Sequence, residues 1–167
     1  MNTRWILPDF SWYKINTDAA VFSVSKFMGI SVVVCDHEGS VVAALSKHMP
    51  LPLGPLEAKA KAMHEVVSFA KNIGLQDIIF ETDSAIILDA LNDISTAPTS
   101  IDNIIQGIHH SLQTFRRTQI QHVKQLGNRP AHTLAHHAKG IDDFITWIKE
   151  TPPCIEPFVF QDALSVS

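Results

Sequence analysis

The sequence predicts an α/β protein with a mixed five-stranded sheet, in which three antiparallel strands are followed by parallel additions and flanking helices. Two β-branched runs joined by a short glycine-containing loop occur early in the chain, as in a hairpin. Later strand-like runs alternate with amphipathic helices, which is typical of parallel strands connected by helical crossovers. The 167 residues, 46% of them hydrophobic, are enough for one domain with a core.

The first half of the chain predicts three strands and a long helix. Residues 12–18 form the first strand, and the runs at 28–35 and 40–46 flank the turn sequence "DHEG". The proline-rich stretch at 49–55 cannot extend a strand. Pro55 suits the first position of a helix that ends before Gly74, and apolar residues recur on one face of this helix at Leu56, Ala60, Met63, Val67 and Ala70.

The second half of the chain continues as an alternation of strands and helices. Its predicted elements are a strand at 77–82, helices at 85–92 and 101–115, a strand at 118–125 and a helix at 128–140. Ser84 is expected to cap the helix at 85–92, and residues 95–100 form a connector. We therefore expect an N-terminal extension at 1–11, one domain at 12–150 and a C-terminal tail at 151–167.

Composition limits the classes of function. No apolar run approaches the roughly 20 residues of a membrane helix, and the first residues lack the features of a signal peptide, so we expect no membrane association. Cys35 and Cys154 have no metal-binding spacing and favour a reducing compartment, cytoplasmic or nuclear. The net charge of −4 lacks the basic excess of nonspecific nucleic-acid binders, so any nucleic-acid surface must be local, weak or assisted by metal ions. We expect a monomer.

Two predicted strands end in the same dipeptide, Thr-Asp, followed by small residues. Asp18 and Asp83 can approach each other if these strands are neighbours, and Glu57 lies in the first turn of the long helix. Clustered carboxylates repel one another, and divalent cations such as Mg²⁺ remove that penalty. Taken singly, each acid is also compatible with a structural role, as a turn residue, a helix N-terminal charge or a helix-entry residue. The joint pattern favours a shared site.

Four segments give the chain a resemblance to a known family. The segments "KINTDAA", "GPLEAKAKAM", "FETDSAII" and "HVKQLGNRPAHTLAHHA" occur in the order and spacing of type 1 ribonuclease H domains. They are most similar to the plant ribonuclease H-like domains related to non-LTR retroelement reverse transcriptases, as is the ending "WIKETPPCIEPFVFQDA". The resemblance covers residues 12 to 163.

This resemblance implies a fold, an activity and a set of site residues. It implies the ribonuclease H-like fold and metal-dependent cleavage of the RNA strand of RNA–DNA hybrids, with two Mg²⁺ or Mn²⁺ ions. Asp18, Glu57 and Asp83 match three of the family's metal-binding acids, and His132 stands at the fourth catalytic position. By the same resemblance, Asn128 and Ser84 are expected to contact nucleic acid.

The sequence departs from the general family pattern at three positions. His132 replaces the fourth aspartate, as is frequent in the plant group, Leu126 lies near the place of a mobile histidine, and Ala19 replaces a glycine. These changes predict a slower enzyme, and imidazole favours Mn²⁺ over Mg²⁺. With the acidic net charge they leave an alternative open, a catalytically weakened nucleic-acid-binding or interaction module derived from a retroelement.

Other histidines and basic residues give weaker signals. His132 and His136 are four residues apart, a spacing that can bind zinc, but no third ligand is evident. Arg116, Arg117 and Lys124 flank the last predicted strand and could either contact phosphates or form a solvated face.

Overall fold

The computed structural model describes residues 6–50 and 53–158. Part of the predicted N-terminal extension, residues 1–5, and part of the predicted tail, residues 159–167, lie outside the described residues. The predicted domain boundaries therefore stay predictions. Within the described residues, no helix combines the length and the apolar character needed to cross a membrane.

A six-stranded mixed sheet forms the centre of the fold, with the strand order β5-β4-β1-β2-β3-β6. Strands β1 to β3 and β6 are joined by antiparallel pairing, whereas β4 and β5 are added in parallel to β1. In chain order, the strands and α-helices are β1 (Tyr13–Phe22), β2 (Phe27–Cys35), β3 (Val41–Met49), α1 (Pro55–Asn72), β4 (Asp77–Thr82), α2 (Ala85–Leu91), α3 (Asp102–Leu112), β5 (Arg117–His122), α4 (Arg129–His137) and β6 (Phe144–Ile148).

The predicted fold class is confirmed, but the predicted strand count is wrong by one. Strand β6, Phe144–Ile148, pairs antiparallel with β3 and was not predicted as a strand. The predicted helix at 128–140 is also more broken than expected. A 3₁₀ turn at 125–128 leads into α4, and a second 3₁₀ turn at 138–140 follows it.

Helices α1 and α4 cover opposite faces of the sheet, because successive side chains of a strand point to opposite sides. On β2, Val32 and Val34 pack in the cluster that contains the buried face of α1. Val33 packs in a second cluster, with Leu134 of α4. The sheet is therefore buried on both faces by apolar contacts, and this burial provides most of the core.

Three residues bring α4 unusually close to β2 and β3. Gly29 leaves no space for a side chain, because a Cβ atom there would lie 2.0 Å from the backbone oxygen of Ala135. The hydroxyl of Ser31 donates to the Ala131 carbonyl at 2.6 Å, and that of Ser46 donates to the Leu134 carbonyl at 3.0 Å. We call Gly29, Ser31 and Ser46 the α4 clamp. It fixes the height of α4 above the sheet, and α4 carries His132.

Candidate active site

The parallel pairing of β1 and β4 brings the two Thr-Asp dipeptides together. Asn16 is the register partner of Glu81, so Asp18 and Asp83, two residues further along each strand direction, lie side by side where β4 ends. Asp18 is only 4% exposed, and its Oδ1 accepts a hydrogen bond from the Ala19 amide at 2.9 Å. The prediction that these two aspartates can approach each other agrees with the register. The predicted strand end at Asp18 is wrong, however, because β1 stays paired with β2 as far as Phe22.

A lysine from α1 lies between the two carboxylates. The ammonium of Lys59 donates to Oδ1 of Asp83 at 2.6 Å and to Oδ1 of Asp18 at 3.1 Å. Burial by itself lowers the pKa of Lys59, but the hydrogen bond to Asp83 and the charge of Asp18 outweigh it and raise this pKa above its ordinary value. Lys59 therefore stays charged at neutral pH and bridges the pair.

His132 completes the contacts of Asp18 from the other face of the sheet. Its Nδ1 lies 3.0 Å from Oδ2 of Asp18, and because a carboxylate only accepts, Nδ1 carries the proton of this hydrogen bond. The side chain is 43% exposed, so the opposite edge of the ring faces solvent. The structure thus places His132 beside Asp18, and its role at a fourth catalytic position stays a prediction.

The possible zinc pair gains no support. The rings of His132 and His136 have centroids 4.5 Å apart, and burial, together with the neighbouring His132, lowers the pKa of His136. Yet across residues 6–50 and 53–158 no three His, Cys, Asp or Glu side chains are grouped so that they could hold a metal ion.

Glu57 is half-buried in the first turn of α1, as predicted. Within the described part of the chain, however, the side chains that form hydrogen bonds with the carboxylates of Asp18 and Asp83 are those of Lys59 and His132, and not that of Glu57. The His122 ring in addition lies 3.3 Å from the backbone carbonyl of Asp83. The role of Glu57 as a third metal-binding acid stays a prediction.

A buried polar network lies directly behind the aspartates. The amide of Asn16 donates to Oε1 of Glu81 at 3.0 Å and to Oδ1 of Asn128 at 3.1 Å, while Asn128 donates to the Thr17 carbonyl at 3.0 Å. Gln121 of β5 donates to the other oxygen of Glu81 at 2.7 Å. The network ties β1, β4, β5 and the start of α4 together beneath the site.

This network includes Asn128, which was expected to contact nucleic acid, and that contact stays a prediction. Asn128 is fully buried, with 0% of its surface exposed, and both ends of its amide are used inside the protein. In this structure Asn128 connects the start of α4 to β1. Ser84 acts as predicted from capping, since its hydroxyl accepts from the Ile87 amide at 3.3 Å, and its contact with nucleic acid stays a prediction.

Two of the three basic residues that flank the last predicted strand, Arg116 and Arg117, lie at the far end of the sheet from the site. Arg116 and Arg117 both bind the carboxylate of Asp77, the first residue of β4, whereas Asp83 follows its last residue. The hydrogen bonds from Arg116 and Arg117 hold the pKa of Asp77 well below its usual range. This cluster therefore stabilises the sheet rather than extending the candidate site.

Sequence reasoning missed Lys59, although the helix pattern contains a signal for it. Lys59 precedes Met63, Val66 and Ala70 by four, seven and eleven residues, so it stands on the same helical face as three buried apolar residues. A lysine on such a face needs an acceptor for its charge, and the carboxylates of Asp18 and Asp83 are the acceptors.

The two aspartates offer the ligand type that a divalent cation prefers, although among the described residues, Glu57 and His132 included, no group of three such side chains could hold a metal ion. Asp18 and Asp83 present carboxylate oxygens, which Mg²⁺ and Mn²⁺ prefer, and the ammonium of Lys59 already shows that a positive charge is favoured between them. The same ammonium fills the space that a shared ion would take, so a divalent ion can enter only after Lys59 has moved away.

Comparison with known proteins agrees with this architecture. Residues 16–138 match the reverse transcriptase-like family. No curated protein matches the chain.

Among solved structures, ribonuclease H1 of the halophilic archaeon Halobacterium salinarum is similar with a TM-score of 0.72 and 19% identity, over 77% of this chain and 98% of that one. LC11-RNase H1, solved in complex with an RNA/DNA hybrid, gives a TM-score of 0.68 and 18% identity, over 75% and 95%. The foamy viral protease-reverse transcriptase, solved with double-stranded DNA, gives a TM-score of 0.62 and 18% identity, over 80% of this chain and 97% of that one.

At these identities the solved structures establish the fold, which is that of ribonuclease H, while the particular similarity to the plant group stays a prediction. The family match spans β1 to α4 and so contains Asp18, Lys59, Asp83 and His132. The chain belongs to the reverse transcriptase-like family, whose ribonuclease H fold it adopts.

Proposed function

We propose that this protein is a divalent-metal-dependent endonuclease that cleaves the RNA strand of RNA–DNA hybrids. The observation that carries the proposal is the pair Asp18 and Asp83, which lie side by side, Asp18 within β1 and Asp83 directly after β4, with His132 bonded to Asp18. The fold is shared with LC11-RNase H1, which binds an RNA/DNA hybrid in its crystal structure.

The residues of the chain have separate tasks in this proposal. Asp18 and Asp83 would hold Mg²⁺ or Mn²⁺, two ions in total, with Glu57 as a further acid. A divalent ion there supplies positive charge against the negative charge that develops on the attacked phosphate. His132 fixes the orientation of the Asp18 carboxylate, and the α4 clamp fixes His132. The network through Asn16 and Asn128 resists shifts of β1 against β4.

Recognition of the hybrid would rest on shape, through the 2′-hydroxyls and the wide minor groove. Because the net charge is −4, we expect weak binding at physiological salt. Nanomolar binding to plain DNA duplexes at that salt would contradict this expectation. The proposal further assigns a monomer in the cytoplasm or nucleus, since the two cysteines favour a reducing compartment.

Cleavage of an end-labelled hybrid, with Mg²⁺ and with Mn²⁺, tests the proposal. The Asp83→Asn variant should lose cleavage, because it removes one of the two paired carboxylates while leaving a side chain of the same shape. Asp93→Asn is the matched control, since Asp93 is exposed after α2, away from Asp18. Equal cleavage by wild type and Asp83→Asn would show that the activity comes from a contaminant.

The alternative is a nucleic-acid-binding or interaction module without cleavage. Lys59 favours it, because an ammonium between the aspartates satisfies their charge without any metal. In that case wild type would leave the hybrid intact with both metals, while a filter-binding assay would still detect the complex.

A further inference from the structure

Fixing the partly buried side chain of Lys59 is unfavourable unless its ammonium interacts with oppositely charged groups. Its side chain is 30% exposed, and its Cα stands on the helical face of buried Met63 and Val66. A flexible lysine loses rotamer freedom when it is fixed in this way, and that loss must be offset by its partners. Its two partners are Asp18 and Asp83, which it meets with charge-assisted hydrogen bonds.

The ammonium and a shared divalent ion exclude each other in space. Lys59 Nζ lies 3.1 Å from Oδ1 of Asp18 and 2.6 Å from Oδ1 of Asp83. An ion that binds the same oxygens at about 2.0–2.1 Å would lie almost where the nitrogen is. The two cations would also repel strongly at such a separation. Occupancy by one therefore requires departure of the other.

We propose that Lys59 is a built-in competitor for the divalent ion, so that the paired aspartates bind either the ammonium or the metal. This inference rests on the proposed function, since the competing ion is the one that the nuclease would use. It adds to that function the residue, Lys59, that lowers the affinity of the paired aspartates for the divalent ion. The free protein is held in a metal-resistant state, and metal binding becomes coupled to the outward movement of one side chain.

Calorimetric titration of Mn²⁺ into the free protein, with no nucleic acid present, tests the competition. Lys59→Met keeps the length and apolar stem but removes the charge, and it should bind Mn²⁺ roughly tenfold more tightly, a change of about 1.4 kcal/mol. Lys61→Met is the matched control, because Lys61 pairs with Glu65 on the same helix and should keep the wild-type affinity. Unchanged or weaker Mn²⁺ binding by Lys59→Met would overturn the proposal.

A second variant keeps the test valid if Lys59→Met does not fold. Lys59→Gln retains polar character, and circular dichroism of each variant confirms the fold before titration. Its affinity should also rise, by less than that of Lys59→Met, because a glutamine amide can still donate to one carboxylate. Equal affinities for wild type and both variants would show that the ammonium does not compete.

The outcomes separate this inference from the proposed function. Tighter Mn²⁺ binding by Lys59→Met, with no hybrid cleavage by any variant, would support the competition and reject the nuclease. Hybrid cleavage by wild type, with unchanged Mn²⁺ affinity in Lys59→Met, would support the nuclease and reject the competition.

Discussion

Replacement of Gly29 by alanine should destabilise the protein through α4. The added Cβ would lie 2.0 Å from the Ala135 oxygen and 2.9 Å from the Ala138 Cβ, and ordinary contact begins near 3.4 Å, so α4 must retreat by about 1.4 Å. This retreat would stretch the hydrogen bonds from Ser31 and Ser46 to the α4 backbone. Overpacking typically costs about 1–3 kcal/mol, and each lost hydrogen bond costs about 1 kcal/mol more.

We therefore expect a loss of about 3 kcal/mol in the free energy of unfolding, which corresponds to roughly 10 °C in Tm for a chain of this size. Urea unfolding followed by circular dichroism measures the loss. Gly107→Ala is the matched control, since a Cβ there meets nothing within 4 Å inside α3 and should raise stability by up to about 1 kcal/mol. A Gly29→Ala protein as stable as wild type would refute the steric reasoning.

Three further predictions follow from the site and its supports. Asn128→Ala should lower the free energy of unfolding by about 1–3 kcal/mol, because it leaves buried polar partners unsatisfied, and a loss below about 0.5 kcal/mol in urea would contradict this. The bonds from Arg116 and Arg117 depress the pKa of Asp77, so their stabilisation is present above the unfolded pKa of about 4 and is lost as the pH falls below it. Thermal melts of Asp77→Asn should therefore show lower stability at pH 7 and a smaller decline toward pH 2 than wild type, and parallel curves would be inconsistent with the ion pairs. His132→Asp should raise Mg²⁺-supported relative to Mn²⁺-supported hybrid cleavage, since a carboxylate suits Mg²⁺ better than imidazole does, and an unchanged ratio in metal titrations would mean that His132 has no part in metal choice.

Short sequence patterns correctly predicted the strands and helices whose formation depends mainly on neighbouring residues. The hairpin of β2 and β3 follows from two β-branched runs around a glycine turn, and the start of α1 follows from Pro55. The proximity of Asp18 and Asp83 was predictable because the same Thr-Asp dipeptide marks two strand-like runs, which the parallel register then pairs, although β1 continues past Asp18 to Phe22.

Features that depend on distant partners were not predictable in the same way. Strand β6 has only five residues and gains its hydrogen bonds from β3, about a hundred residues earlier in the chain. The burial of Asn128 was not predicted, because its sequence context shows neither Asn16 nor the Thr17 carbonyl with which it forms hydrogen bonds. Lys59 was overlooked because its acceptors lie on β1 and after β4, while its neighbours in sequence are alanines.

Strand β6 also bears on how far the chain must extend beyond the family match for the sheet to be complete. The family match ends at residue 138, whereas β6 begins at Phe144 and covers the hydrogen-bonding edge of β3 from Ala43 to Lys47. A chain cut after residue 138 would leave that edge unpaired beside the buried Leu45, and unpaired edges recruit strands from other molecules. Expression of residues 1–138 should therefore give a self-associating product, whereas the full sequence, in which β6 covers this edge, should not self-associate through it.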